Sequence, residues 1–273
     1  MQLELFSPDR TALAEGWEAV ALWRLEEART LFAGVLERWP ENAESEEALR
    51  WLQVAGERLA GLDEEAPAER VRRLWAARDA FPQAGLGGRF RRALLGRVLE
   101  EMDLAGLGRP GESPCRGEAL LAGGRAGDAV RWLAAALDSP DARSDLRWVL
   151  GRALWRLERP KEAREEWLTW LLMIEPERAA EAAAALPDPA LAGIVAAQGI
   201  DRAPVEAWLQ GLAPLLGEEL LPDRRSPALE AHRNLLAAEV ARRRGDLDLA
   251  IRHREALLRL DPALLRRYME RLS

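Results

Sequence analysis

Few of the residues able to do chemistry stand where they could act together. The chain has two histidines, His232 and His253, one cysteine, Cys115, and one lysine, Lys161. His253-Arg254-Glu255 has the spacing by which a histidine ligand and a glutamate serve a hydrolytic zinc site, but no C-x-x-C accompanies it, and the ligand set is incomplete. A single cysteine permits no intramolecular disulfide, and two histidines beside it make no Cys/His cluster. Cys115 follows Pro114 near an expected helix start, a position that can lower a thiol pKa; a small packed cysteine is the simpler expectation. Gly85-Leu86-Gly87-Gly88 is rich in glycine, yet no strand precedes it and no Lys-Ser/Thr follows, so an interhelical turn is expected there rather than a phosphate loop. The paired acids Glu26-Glu27, Glu46-Glu47, Glu100-Glu101 and Glu165-Glu166 fall in helical segments, where neighbours diverge by about 100° and cannot attack one bond together. They are expected on the solvated surface. No catalytic residue, no cofactor site and no metal site follows from these types and spacings, and the chain reads as non-enzymatic.

Recognition is better served than catalysis. Thirty-eight of the 39 basic residues are arginine, and there are 11 tryptophans; both types carry binding energy at interfaces. Isoleucine, asparagine, lysine and tyrosine are scarce together, however, and all four have AT-rich codons, so a GC-rich genome accounts for the same bias. Charge is uneven along the chain. Residues 1–66 carry 15 acidic and 6 basic side chains, whereas residues 67–110 carry 5 and 9. The basic stretch holds Arg70, Arg72, Arg73, Arg78, Arg89, Arg91, Arg92 and Arg97, which could meet nucleic-acid phosphates or an acidic partner. Alternatively they form a solvated face paired with nearby glutamates.

These side chains must be positioned by helices. β-Branched residues are sparse and no segment alternates cleanly, while Ala, Leu, Glu and Arg dominate between Pro and Gly punctuation. No run approaches the roughly 18 apolar residues of a membrane span, and no secretory leader is recognised at the N-terminus; a cytoplasmic location is expected. A period is visible as well. Gly117 and Ala129 recur as Gly151 and Ala163, a displacement of 34 residues. In each pair a helix bearing a small residue leads through a short turn into a second helix with an alanine at the crossing, the form of two antiparallel helices stacked as one unit.

In these features the chain resembles the tetratricopeptide repeat family. Residues 144–177 supply Gly151, Ala163, Trp167 and Pro176; residues 110–143 supply Gly117, Ala129, Leu133, Ala136 and Pro140. Residues 9–42 supply Gly16, Ala28, Phe32, Val35 and Pro40, and residues 231–264 supply Ala238, Ala250, Leu257 and Pro262, with Arg254 where the pattern wants an apolar residue. The resemblance implies an all-α solenoid of antiparallel helix pairs, with irregular helical segments between repeats. Its parts would be a tail over 1–8, a helical region over 9–109, tandem repeats over 110–185 and a C-terminal region over 186–273. A bend or domain split near 186–205 is an alternative. Residues 43–82 read as a longer pair, 85–109 as one amphipathic helix, and 178–222 as short helices broken at prolines.

The resemblance also implies a function, that of a scaffold or adaptor gripping a protein or peptide. On a helical wheel Leu146, Val149, Leu150, Ala153, Leu154 and Leu157 share one face; Trp148 and Trp155 fall on another, beside Arg152. Either an adjacent repeat covers those indoles, or they line the concave groove with which the family holds peptides. The same alignment puts Trp17 and Val20 on the inner face of the first repeat, and Leu235, Glu239 and Arg242 on that of the last. Separately, Gln2-Leu3-Glu4-Leu5-Phe6 is similar to the pentapeptide by which bacterial replication and repair factors dock on the sliding clamp: Gln2, Leu3, Leu5 and Phe6 match, and Glu4 retains an acid. An extended peptide with a few anchors suits such docking. The competing expectation is that these apolar residues cap the end of the chain's own solenoid.

Overall fold

Prolines and glycines cut the chain into segments of strong helix formers, and those segments become the helices. The computed structural model describes residues 8–138 and 144–272, which hold fifteen α-helices and no strand. No helix among the described residues is long and apolar enough to cross a membrane. The chain divides into two compact units, one ending at Trp132 and one starting at Leu133. The proline-rich stretch 186–205 lies inside the second.

The first unit contains α1 (Pro8–Ala21), α2 (Leu25–Arg38), α3 (Ala43–Leu59), α4 (Pro67–Ala77), α5 (Gly85–Ala105) and α6 (Arg116–Ala122), with α7 (Ala126–Leu137) running over the boundary. α1 pairs with α2 and α2 with α3, but the organising element is α5, which packs on α1, α3, α4 and α6. It buries Phe90, Leu94, Leu95, Val98 and Met102, too many directions for the two-faced surface helix that its pattern predicts. Gly85–Gly88 is not the interhelical turn expected from sequence: it is the first turn of α5. A Cβ on Gly87 would lie 2.4 Å from Pro82 Cγ and 2.9 Å from Trp51 Cε2, so glycine lets the preceding loop close over the helix.

The second unit contains α8 (Asp145–Arg156), α9 (Pro160–Met173), α10 (Pro176–Ala184), α11 (Pro189–Gln198), α12 (Ala203–Leu209), α13 (Pro227–Arg243), α14 (Leu247–Leu260) and α15 (Pro262–Leu272). The α8/α9 and α13/α14 hairpins are its two most closely packed pairs. Between them α10, α11 and α12 step along one after another, and α15 returns to pack on α14 and α12.

The four segments picked out by their spacing share one turn. Trp23, Gly124, Glu158 and Gly245 each follow the small residue of their segment by seven positions, and each has positive φ, at 58°, 80°, 58° and 78°. In each, the next residue's N–H reaches back five positions: Arg24 to Ala19 O, Arg125 to Leu120 O, Arg159 to Leu154 O and Asp246 to Ala241 O, at 2.8 to 3.1 Å. This is the left-handed helix end with its six-to-one hydrogen bond. The second helix then places Ala28, Ala129, Ala163 or Ala250 at 0–1% exposure. A side chain larger than alanine has no room at such a crossing. In two hairpins the small residue of the first helix admits a ring from the second. A Cβ on Gly16 would lie 2.8 Å from the Phe32 ring, and one on Gly151 2.3 Å from Trp167 Nε1. The last hairpin departs from this, having Ala238 and Arg254. There Tyr268 of α15 packs among Leu235, Ala238 and Leu257.

Candidate functional site

The sequence-expected residues fall in different places. Gln2, Leu3, Leu5 and Phe6 lie outside the described residues. Trp17 belongs to the first unit, and Trp148, Arg152 and Trp155 to the second.

Trp17 stands on α1, held on three sides. Its ring meets Phe32 at 5.1 Å and Phe90 at 5.6 Å, both edge-on, and its Nε1–H donates to Glu44 Oε1 at 2.6 Å. The Arg89 guanidinium lies over the indole, 4.7 Å from its centre, and 3.5 Å from Glu44. The indole is therefore fixed in position by packing and polarity together. Beside it a cleft of about 480 Å³ opens between α1 and α5, lined by Trp17, Val20, Ala21, Ala93 and Gly96, with Glu18, Arg89 and Arg92 at its rims. Small residues make the floor low, so a bulky apolar side chain can rest there. Arg92 is exposed and has no ion pair among the described residues, leaving a guanidinium ready for a carboxylate.

The other arginines of the basic stretch are engaged. Arg70 donates to Glu101 Oε2 at 3.0 and 2.9 Å and to Glu65 O at 3.0 Å, and Arg97 also reaches Glu101. Arg73 binds Arg58 O at 3.1 Å and Ala60 O at 2.8 Å, tying α4 to the end of α3. Arg91 holds Arg78 O and Phe81 O, and Arg72 pairs with Glu69. Within the stretch the cations serve mostly as struts between α3, α4 and α5. Glu101, expected on the surface, is only 2% exposed, because two arginines neutralise it.

In the second unit Trp148 and Trp155 are half-buried, and both meet indoles of α9 in the same hairpin. Trp167 lies 6.1 Å from Trp148 and 5.6 Å from Trp155, and Trp170 lies 4.8 Å from Trp148. Trp167 is fully buried over Gly151 and donates its Nε1–H to Trp148 O at 3.3 Å. Arg152 is exposed, one turn from each of α8's tryptophans. The four indoles form a packed layer whose outer edges still meet solvent.

The expected inner face of the last hairpin is occupied. Leu235 is fully buried, and Glu239 accepts from Arg242 at 2.9 and 2.7 Å, from Arg243 at 2.8 Å and from the Tyr268 hydroxyl at 3.0 Å. The Arg242 guanidinium above all holds the Glu239 carboxyl down at about 2. This cluster joins α13 to α15 and leaves no carboxylate for a ligand.

Burial pushes the Cys115 thiol up to about 11, opposite to the activation that its helix-start position allows; its N–H donates to Glu118 in a capping box. Burial, followed by Glu166 and Glu162, raises the half-buried Glu165 carboxyl; the cleft it lines with Lys161, Glu162 and Trp208 has no serine, cysteine or histidine in its lining. Among the described residues no three His, Cys, Asp or Glu side chains group to hold a metal.

Sequence reasoning marked Trp17 but missed its partners. Glu44, Arg89, Arg92 and Gly96 come from segments distant in sequence, and the one local signal was the small pair Ala93 and Gly96 three residues apart on α5. Comparison with protein-family models, curated proteins and solved structures finds no match.

Proposed function

We propose that the chain is a non-enzymatic scaffold built from tetratricopeptide-like helical hairpins, and that its α1/α5 cleft docks a peptide segment of a protein partner. The observation carrying this reading is the cleft itself: a fixed indole and a low apolar floor beside an exposed, unpaired Arg92. Such a trough takes one bulky apolar side chain, with a neighbouring carboxylate on the guanidinium. The four equal turns support the repeat reading.

Panning a random peptide library on the full chain tests it. Enriched peptides are expected to combine an acidic and a large apolar residue, and to bind about tenfold more weakly to Arg92→Glu, a change at an exposed position that leaves the fold intact. Equal affinity for wild type and Arg92→Glu would remove the cleft from the reading.

A second reading rests on the match of Gln2, Leu3, Leu5 and Phe6 to a clamp-docking peptide. It expects the intact protein to bind a purified bacterial sliding clamp and to lose that binding on Phe6→Ala. An unchanged titration curve for the variant would sink it.

A further inference from the structure

The outer face of α14 combines two features that occur together nowhere else among the described helices. Leu247, Ile251 and Leu258 are 65%, 50% and 51% exposed, and at 3.6 residues per turn they fall within about 40° of one another. Ala250 and Leu257, which are buried where α14 packs on α13, lie about 60–120° round the helix from this stripe. Along one flank of this apolar stripe run Asp248, Arg252, Glu255 and Arg259, all exposed. Their signs alternate, and their spacings of three and four residues allow pairing within the helix. Elsewhere the chain uses such spacings: Arg24 with Glu27, Arg72 with Glu69, Arg125 with Asp128 and Arg159 with Glu162. On α14 none of the four is ion-paired among the described residues.

We infer that α14 is the contact surface of a homodimer, in which two copies lie antiparallel across a two-fold axis. In an antiparallel helix pair each flank faces the same flank of its mate. An axis level with the midpoint between His253 and Arg254 sets Asp248 opposite Arg259 of the second copy, and Arg252 opposite Glu255. Symmetry repeats both, giving four bridges from four residues. The apolar stripe meets itself in a nearby register: Leu247 and Leu258 are symmetric about a point one residue away, so the two leucines miss direct opposition by two residues, about 3 Å along the axis, and settle as knobs between neighbours. In a parallel pair this flank would face the other flank of its mate, and the four charged residues would not meet. The self-complementary order of signs, rather than exposed apolar area alone, selects a second copy over an unrelated partner. Three side chains per copy cover less than the roughly 800 Å² per partner of a stable interface, so the dimer is weak and reversible.

Sedimentation equilibrium of the full chain, from about 5 to about 500 µM, reads the inference directly. The expected mass rises from 30.4 kDa toward twice that value with concentration. Ile251→Lys and Asp248→Arg each weaken association about tenfold or more, and Asp248→Arg combined with Arg259→Asp restores it to within about threefold of wild type. All three positions are exposed, and far-ultraviolet circular dichroism confirms that the variants retain their helices. A mass fixed at 30.4 kDa throughout, a dimer indifferent to Ile251→Lys, or a charge swap that fails to restore association would each overturn it.

Discussion

Trp23 and Glu158 hold left-handed backbone without being glycine, both with φ of 58°, at the position that Gly124 and Gly245 occupy in the other two turns. A Cβ in that conformation costs about 1–2 kcal/mol, offset in part by the larger entropy that glycine has when unfolded. Trp23 is half-buried, so its side chain contributes contacts there, whereas Glu158 is exposed. Glu158→Gly is therefore expected to stabilise the second unit by about 0.5–1 kcal/mol, read as a higher urea midpoint with unchanged slope. A lower midpoint would mean that the glutamate side chain holds something worth more than the strain. The glycines marked two of these turns in the sequence. The other two were visible only through the twelve-residue interval from small residue to alanine, which depends on helix geometry and not on the residue at the turn.

Hairpins were legible because their determinants lie within one segment: a small residue, a turn and an alanine at fixed distances. The centrality of α5 was not, since its pattern depends on α1, some seventy positions earlier, and on α3 and α4. Local amphipathicity cannot register a neighbour so distant. For the same reason Trp17 could be picked as a candidate while the arginines that complete its cleft read only as a charged face. Glu101 shows what that face does. Its carboxylate, 3% exposed, bridges Arg70 on α4 to Arg97 on its own helix, their guanidiniums being 23% and 30% exposed. Removing a partner from a buried pair costs about 3–5 kcal/mol; water can reach these arginines, so Glu101→Ala is expected to cost about 2 kcal/mol in a denaturant titration. A loss below about 0.5 kcal/mol would show that the bridge is incidental to how α4 seats on α5.

Across the molecule, response to acid is set by groups that burial, at His232, or arginine hydrogen bonds, at Glu239, keep from titrating normally. His232 is fully buried on α13, its Nε2–H donating to Leu216 O at 3.1 Å while Nδ1 has no partner among the described residues. Burial pushes its pKa from 6.5 down to about 4. The unfolded imidazole takes up a proton below 6.5 and the folded one does not until near 4, so this contribution is complete above pH 6.5 and declines as pH falls through that window. The expected slope is about 1.4 kcal/mol per pH unit, measurable as unfolding free energy between pH 6.5 and 5 and absent in His232→Leu. A wild-type slope no steeper than the variant's would overturn the assignment. The Glu239 cluster acts lower still: its carboxyl, held at about 2, stabilises the α13–α15 junction above its ordinary value of 4.5 and releases it as pH falls toward 2.

The common turn has a consequence for how such a chain can change. Surface connections ordinarily absorb added residues with little harm. Here the left-handed residue and its back-reaching hydrogen bond fix the number of positions between the two helices of a hairpin. One extra residue in the clasp would rotate the second helix by about 100°, swinging the buried alanine into water and a longer side chain into the crossing. These three-residue connections are thus inelastic despite their place near the surface, and inserted sequence is better borne by the longer spans between hairpins.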